Sequence, residues 1–310
     1  GISTAAGAGN FFHRQWQLAR AGAGMHPVFL PWHVRPGRDE AWYDAATRTY
    51  PDWLRAQEFP ATETEAFALS GRPRFDLAAL DEIARTCRPP ASTQSLGLDS
   101  YGRAQGSLHL WDDPIPGRRY VCGADTAEGL PNGDWCAAVV LDWQTGTEVA
   151  ELHGHWDVGT YARFLATVCE RYNHALLGVE RNNHGHAVLL ALGDACHYEP
   201  LYRHHEYDAA LARWIGGPAG WQTSSKSKPI MIDGLGAAIS ERRPYRNAAF
   251  LDEARTYSIG EHGDTAASGN LHDDRVVAYA IAEQLRRVHV EQRAAVSGEF
   301  TLAPGYRLEG

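Results

Sequence analysis

Three acidic positions, far apart in the sequence, carry the chemistry. Asp125 follows the apolar run Tyr120-Val121-Cys122-Gly123-Ala124. Glu180 follows Leu176-Leu177-Gly178-Val179. Asp273 and Asp274 open a helical pattern after Gly269-Asn270-Leu271-His272. Carboxylates brought together repel one another, and each raises the other's pKa unless a cation neutralises them. A donor set made of oxygen alone, with its gaps filled by water, suits Mg2+ or Mn2+. Two such ions ~3.5–4 Å apart can activate a water and stabilise the leaving oxygen of a phosphodiester. The expected cofactors are therefore two Mg2+ or Mn2+ ions. Asp125, Glu180 and Asp274 are the expected ligands and catalytic acids, with Asp273 as a co-ligand or outer contact. Asp274 is preferred because it shares a helical stripe with Ala278, Ile281 and Leu285, whereas Asp273 shares one with Val277 and Ile281. His272 and Asp134 are candidates for outer contacts.

The elements that must bring these acids together follow from the hydrophobic pattern. Arg119 to Ala124, Asp134 to Asp142 and Thr147 to His153 read as three strands at hairpin spacing. Val158, Tyr161, Leu165, Val168 and Tyr172 recur at helical spacing, so 157–173 is an amphipathic helix. A strand over 175–179 ends at Glu180. A helix near 185–193 and a strand near 198–203 come next, then a loop or hairpin over 204–224 and helices near 226–241 and 272–288. The order is that of an α/β fold with a mixed sheet, three antiparallel strands plus parallel ones, flanked by helices. The first and fourth strands can be neighbours, which sets Asp125 beside Glu180. Residues 89–117 are rich in Pro, Ser, Gly and Asp and read as a connector. Ahead of it lie short aromatic-rich pieces whose Trp16, Trp32, Trp42, Tyr43, Trp53, Phe59 and Phe67 suit a small core.

Composition narrows the class. The chain has 310 residues, 44% hydrophobic and 22% charged, enough for a packed core and about two domains. No apolar run approaches the ~20 residues of a membrane span, and Gly1 to Arg20 lacks the order of a signal peptide. The five cysteines form no CxxC pair, so neither a zinc ribbon nor a disulfide scaffold is indicated, and a reduced, cytoplasmic setting is expected. The net charge is −9. An acidic chain is not an obvious nucleic-acid binder, but a site for divalent cations concentrates carboxylates, and the cations supply the positive charge.

The motifs also occur in a recognisable order. Gly123-Ala124-Asp125-Thr126-Ala127-Glu128-Gly129 is followed by Gly133-Asp134-Trp135 and by Gly178-Val179-Glu180-Arg181-Asn182-Asn183-His184-Gly185. Then come Gly220-Trp221-Gln222-Thr223 and Gly269-Asn270-Leu271-His272-Asp273-Asp274-Arg275-Val276. Over about 118–288 this set resembles the C-terminal nuclease of the large terminase subunit of tailed bacteriophages. The resemblance implies a ribonuclease H-like fold and cutting of concatemeric viral DNA during packaging, with metal-binding acids at Asp125, Glu180 and Asp274 or Asp273. Ser3-Thr4-Ala5-Ala6-Gly7 resembles the coupling motif near the end of the packaging ATPase, with Ser3 and Thr4 as its remnant. Phe59-Pro60-Ala61-Thr62-Glu63 resembles the segment leading from that ATPase to the nuclease.

The implied division is an ATPase-domain remnant over 1–95, a linker over 96–117, the nuclease over 118–290 and a tail over 291–310. No GxxxxGK[ST] phosphate loop is present in the sequence, so this chain alone is not expected to hydrolyse ATP. Gly216 to Lys228 matches the place where the family carries a hairpin beside the cleft, and Arg203, Arg213, Lys226 and Lys228 are DNA-contact candidates there. The implied partners are double-stranded DNA, a portal protein and a small terminase subunit, met in the bacterial host cytoplasm at the procapsid, with no membrane involved. Two other readings compete. One is a junction resolvase or transposase-type nuclease of the same fold. The other is an inactive remnant that binds DNA or the portal.

Overall fold

The structure is a computed structural model. It describes residues 11–20, 22, 24–50, 52–68, 72–98, 101–127, 129, 134–181, 184–208, 213–259, 265–267 and 272–297. The chain divides into two compact units. One contains Gly1–Arg88, Ile239–Arg242 and Arg246–Val276. The other contains Pro89–Ala238, Arg243–Tyr245 and Val277–Gly310.

The second unit is built on a six-stranded sheet. Its strands are β1 (Ser92–Leu98), β2 (Ala104–Leu110), β3 (Tyr120–Asp125), β4 (Cys136–Asp142), β5 (Glu148–Gly154) and β6 (Leu176–Val179), in the spatial order β1-β2-β5-β4-β3-β6. β3, β4 and β5 form an antiparallel meander, and β6 returns parallel to β3 after helix α1 (Val158–Arg171). Beyond β6 the edge is extended by parallel bridges from Leu177 to Leu201 and from Glu180 to Trp221. An antiparallel meander whose first strand pairs in parallel with a fourth, across a helix, is the ribonuclease H-like arrangement.

The alternation of side chains along β3 explains why both faces are covered. Cys122 and Ala124 point into a core with Ala138, Val140 and Leu152. That core is closed by Tyr161, Leu165 and Val168 of α1 and by Val188 and Leu192 of α2 (Gly185–Asp194). Val121, Gly123 and Asp125 point to the other face. There the long helix α4 (Asp274–Ser297) lies against the sheet from Val277 onward. A Cβ on Gly123 would stand 2.2 Å from the carbonyl oxygen of Ala278, so only glycine permits this approach. The Tyr279 hydroxyl donates to the fully buried Glu148 carboxylate, tying α4 to β5. Between β6 and α4 lie the hairpin β7 (Arg203–Asp208) and β8 (Arg213–Ala219), then α3 (Ser227–Ser240).

The connector expected over 96–117 contains strand at 96–98 and 104–110. β1 and β2 pair with each other, and β2 pairs with β5, adding a hairpin to the sheet edge. Their Ser and Gly content mimics a loop, but Leu108 and Leu110 alternate into the core, and the Trp156 indole donates to the carbonyl of Leu96 at 3.2 Å.

The first unit is helical, with the helices Phe11–Arg20, Glu40–Thr47, Asp52–Glu58, Glu63–Ala68 and Leu77–Ala84. Trp32, Tyr43, Trp42 and Phe59 do cluster, with Trp32 and Tyr43 ring centres 4.6 Å apart. The side chains of Trp53 and Phe67 lie outside the described residues. The segment Arg246–Val276, expected inside the nuclease, instead groups with this unit. The physical reason is pairing: Tyr257–Ile259 adds antiparallel to Arg72–Pro73, and Phe75 stacks on Tyr257 at 5.6 Å. The expected tail at 291 is still helix as far as Ser297. Among the described residues no helix is long and apolar enough to cross a membrane.

Candidate metal centre

β3 and β6 end together. Ala124 and Val179 are register partners, and the Glu180 N–H donates to the carbonyl of Ala124 at 2.8 Å, so Asp125 and Glu180 are the next pair along. Equivalent positions on parallel neighbours point to the same face, ~4.8 Å apart. Asp125 shares its face with Gly123, and Glu180 shares its face with Gly178, against which Ile281 and Leu285 of α4 pack. Both carboxylates therefore point to the face that α4 covers.

Each acid is held by its backbone. Asp125 is buried, with 8% of its surface exposed, and its Oδ1 accepts from the Thr126 N–H at 2.8 Å. Its carbonyl oxygen lies 2.9 Å from the Tyr161 hydroxyl, which is also 2.8 Å from the carbonyl of Ala137, the β4 residue opposite Asp125. Burial pushes the Tyr161 phenol well above its ordinary pKa, so it remains a donor. Glu180 is half-buried. Helix α2 starts against it, and a Cβ on Gly185 would stand 1.7 Å from the Glu180 carbonyl.

Asp274 is the first residue of α4 and is buried, whereas Asp273 is half-buried just before it. His272 is exposed, with Nδ1 3.6 Å from Asp274 Oδ2. Sequence reasoning missed what holds this helix start. Glu253 accepts from the Arg275 N–H at 3.0 Å and from its guanidinium at 2.6 Å. Burial, only partly offset by the Arg275 charge, pushes the Glu253 carboxyl up to about 7. Glu253 lies in the helix Ala248–Thr256, which sequence reasoning did not identify either.

Asp134 is exposed just before β4. Arg203 is exposed at the start of β7, with a guanidinium nitrogen 3.5 Å from the Gly217 carbonyl, and Lys226 is exposed just before α3. Lys228 is half-buried in the first turn of α3. The side chain of Arg213, at the start of β8, and residues Ser3 and Thr4 lie outside the described residues. Arg181, next to Glu180, was not among the expected DNA contacts. Its guanidinium donates to Gln222 Oε1 at 2.7 and 3.1 Å. Its place within the Glu180 motif was the available signal.

No protein-family model matches the chain, and no curated protein matches it. Solved structures are similar to it. The large terminase nuclease from thermophilic phage G20c with bound magnesium is 20% identical. The likeness covers 69% of this chain and 97% of that one, with a TM-score of 0.48. The Thermus phage P74-26 large terminase nuclease domain is 20% identical, covering 66% and 93%, with a TM-score of 0.45. The large terminase from a further thermophilic bacteriophage is 11% identical, covering 89% of this chain and 60% of that one, with a TM-score of 0.42.

Proposed function

We propose that the chain is a DNA endonuclease dependent on Mg2+ or Mn2+, with Asp125, Glu180 and Asp274 as the ligands, and that it serves a phage packaging terminase. The observation that supports the reading is the in-register ending of β3 and β6 at Ala124 and Val179, after which Asp125 and Glu180 are the next residue on each strand. An all-oxygen donor set of this kind suits these two cations.

Asp274 is added on the sequence: it opens the helical pattern in the last of the ordered motifs and shares a stripe with Ala278, Ile281 and Leu285. Asp273, His272 and Asp134 remain candidates for outer contacts.

When bound, a pair of such ions supplies an activated water and charge stabilisation for a phosphodiester. The chain's own residues do the rest. Thr126 and Tyr161 orient Asp125, the Ala124 carbonyl and the start of α2 fix Glu180, and Glu253 pins the start of the helix that carries Asp274. The terminase assignment, and with it a portal, a small subunit and the host cytoplasm, rests on the ordered motifs in the sequence.

The test is nicking of supercoiled plasmid in Mg2+ or Mn2+. Cleavage that disappears in Asp125→Asn and Glu180→Gln supports the reading. A wild-type chain that cuts nothing at any metal concentration leaves an inactive DNA-binding remnant in its place.

A further inference from the structure

On the far side of Glu180 from Asp125, the sheet edge opens into a cleft of about 650 Å3. Arg181, His204, Trp221, Gln222, Ser224 and Lys226 line it, and among the described residues no carboxylate does. The cleft begins one strand position from the acids. Trp221 bridges in parallel to Glu180, its N–H donates to the Val179 carbonyl at 2.7 Å, and its carbonyl accepts from the Arg181 N–H at 2.7 Å. Across the sheet end the order is therefore Asp125, Glu180, Trp221, at spacings of ~4.8 Å. A pair of acids gives way to a basic wall.

The two cations are presented by fixed structure. Gln222 takes two of the Arg181 N–H groups and leaves the others for a ligand. The turn that carries Lys226 is closed by reciprocal bonds: the Ser224 N–H donates to Ser227 Oγ at 2.9 Å, and the Ser227 N–H donates to Ser224 Oγ at 3.1 Å. Neither Arg181 nor Lys226 is ion-paired among the described residues. Trp221 is more than nine-tenths buried, and its indole N–H has no partner among the described residues.

We propose that this cleft is a metal-independent phosphate subsite, in which Arg181 and Lys226 hold a phosphodiester of the DNA strand that passes the acids. The proposal rests on the nuclease reading for its substrate. Successive phosphates on one strand of a duplex rise ~3.4 Å apart. A backbone whose reacting phosphate sits at Asp125 and Glu180 thus has others within one or two strand spacings, where the cleft lies. The acids repel that backbone until cations neutralise them, and the cleft supplies attraction that needs no metal. Gln222 is a positioning residue, because it aims the guanidinium.

The experiment measures binding of a short labelled DNA duplex by fluorescence anisotropy in EDTA, using the full chain, with circular dichroism to confirm that each variant is folded. Arg181→Gln and Lys226→Gln should each weaken binding about tenfold, the usual worth of one charge-assisted contact. Together they should lower the slope of log affinity against log salt by about 1.8, ~0.9 per lost phosphate contact. Folded variants that bind with wild-type affinity and slope overturn the proposal. So do variants that lose inorganic phosphate but hold DNA as tightly as wild type. Metal-dependent cutting that Asp125→Asn abolishes, combined with unchanged binding in the cleft variants, overturns the subsite and leaves the nuclease. Weakened binding in those variants, with no cutting by wild type, supports the subsite and overturns the nuclease.

Discussion

Gly123 and Ala278 meet so closely that the helix backbone occupies the place of a side chain: a Cβ on Gly123 would stand 2.2 Å from the Ala278 carbonyl and 2.5 Å from the Ala282 nitrogen. This contact sets how deeply α4 beds on β3, two residues from Asp125 and one turn from Asp274. Gly123→Ala obliges a main chain to move, because no flexible side chain is in the way. The expected cost is that of overpacking, ~1–3 kcal/mol, read as a lower urea midpoint. Mn2+ affinity should fall with it, because a shift of β3 at Gly123 displaces Asp125 two residues on. A variant with the wild-type midpoint would show that the helix does not lie so close.

Glu180→Ala separates function from folding. Asp125 and Glu180 are register neighbours on one face, and two like charges at that spacing disfavour the folded chain when no cation is bound. Removing one relieves the repulsion. Metal-free Glu180→Ala should melt at or above the wild-type temperature, while plasmid cutting falls at least ~100-fold, beyond the loss usual for residues that merely support a metal ligand. Cutting at the wild-type rate would remove Glu180 from the site.

Tyr161 joins the two strands at the level of the acid. Its hydroxyl, fully buried, serves the carbonyls of Asp125 and Ala137, which face each other across β3 and β4. Tyr161→Phe leaves both carbonyls without that donor. A buried acceptor left unsatisfied costs ~1–3 kcal/mol, which denaturant unfolding would register. If Tyr161 also steadies Asp125, Mn2+ titration should show weaker binding in the folded variant. Unaltered stability and metal affinity would reduce Tyr161 to packing.

The centre of the sheet was legible in the sequence because β3, β4 and β6 are buried on both faces and so read as continuous apolar runs. Asp125 and Glu180 stood out as charges at the ends of such runs. The β1–β2 hairpin was hidden because it is an edge, where half-exposed Ser, Thr and Gln are compatible with pairing and give no apolar run. The buried polar contacts of α4 were hidden for a different reason. Glu283 is 2% exposed because Tyr245 and Arg286 both bond to it. Arg286 stands three residues from Glu283, a helical pairing that ordinarily marks a solvated face, and Tyr245 lies 38 residues away, beyond the reach of any local pattern. Glu253 was missed likewise, since its partner Arg275 is 22 residues away.

That Glu253–Arg275 contact makes a pH dependence. Burial raises the Glu253 carboxyl from 4.5 to about 7 in the folded chain, despite the Arg275 guanidinium. Between those values the folded state holds a proton that the unfolded state has released. Stability from this group is therefore fully present below pH ~4.5 and is lost as pH rises through 7. Glu253→Gln keeps the shape and removes the titration. The wild-type advantage in melting temperature over Glu253→Gln should shrink as the buffer goes from pH 5 to pH 8, with most of the change complete just above 7. A difference that instead stays flat from pH 5 to pH 8 would mean that the Arg275 charge outweighs burial, and that Glu253 is ionised throughout as the anchor of the helix start.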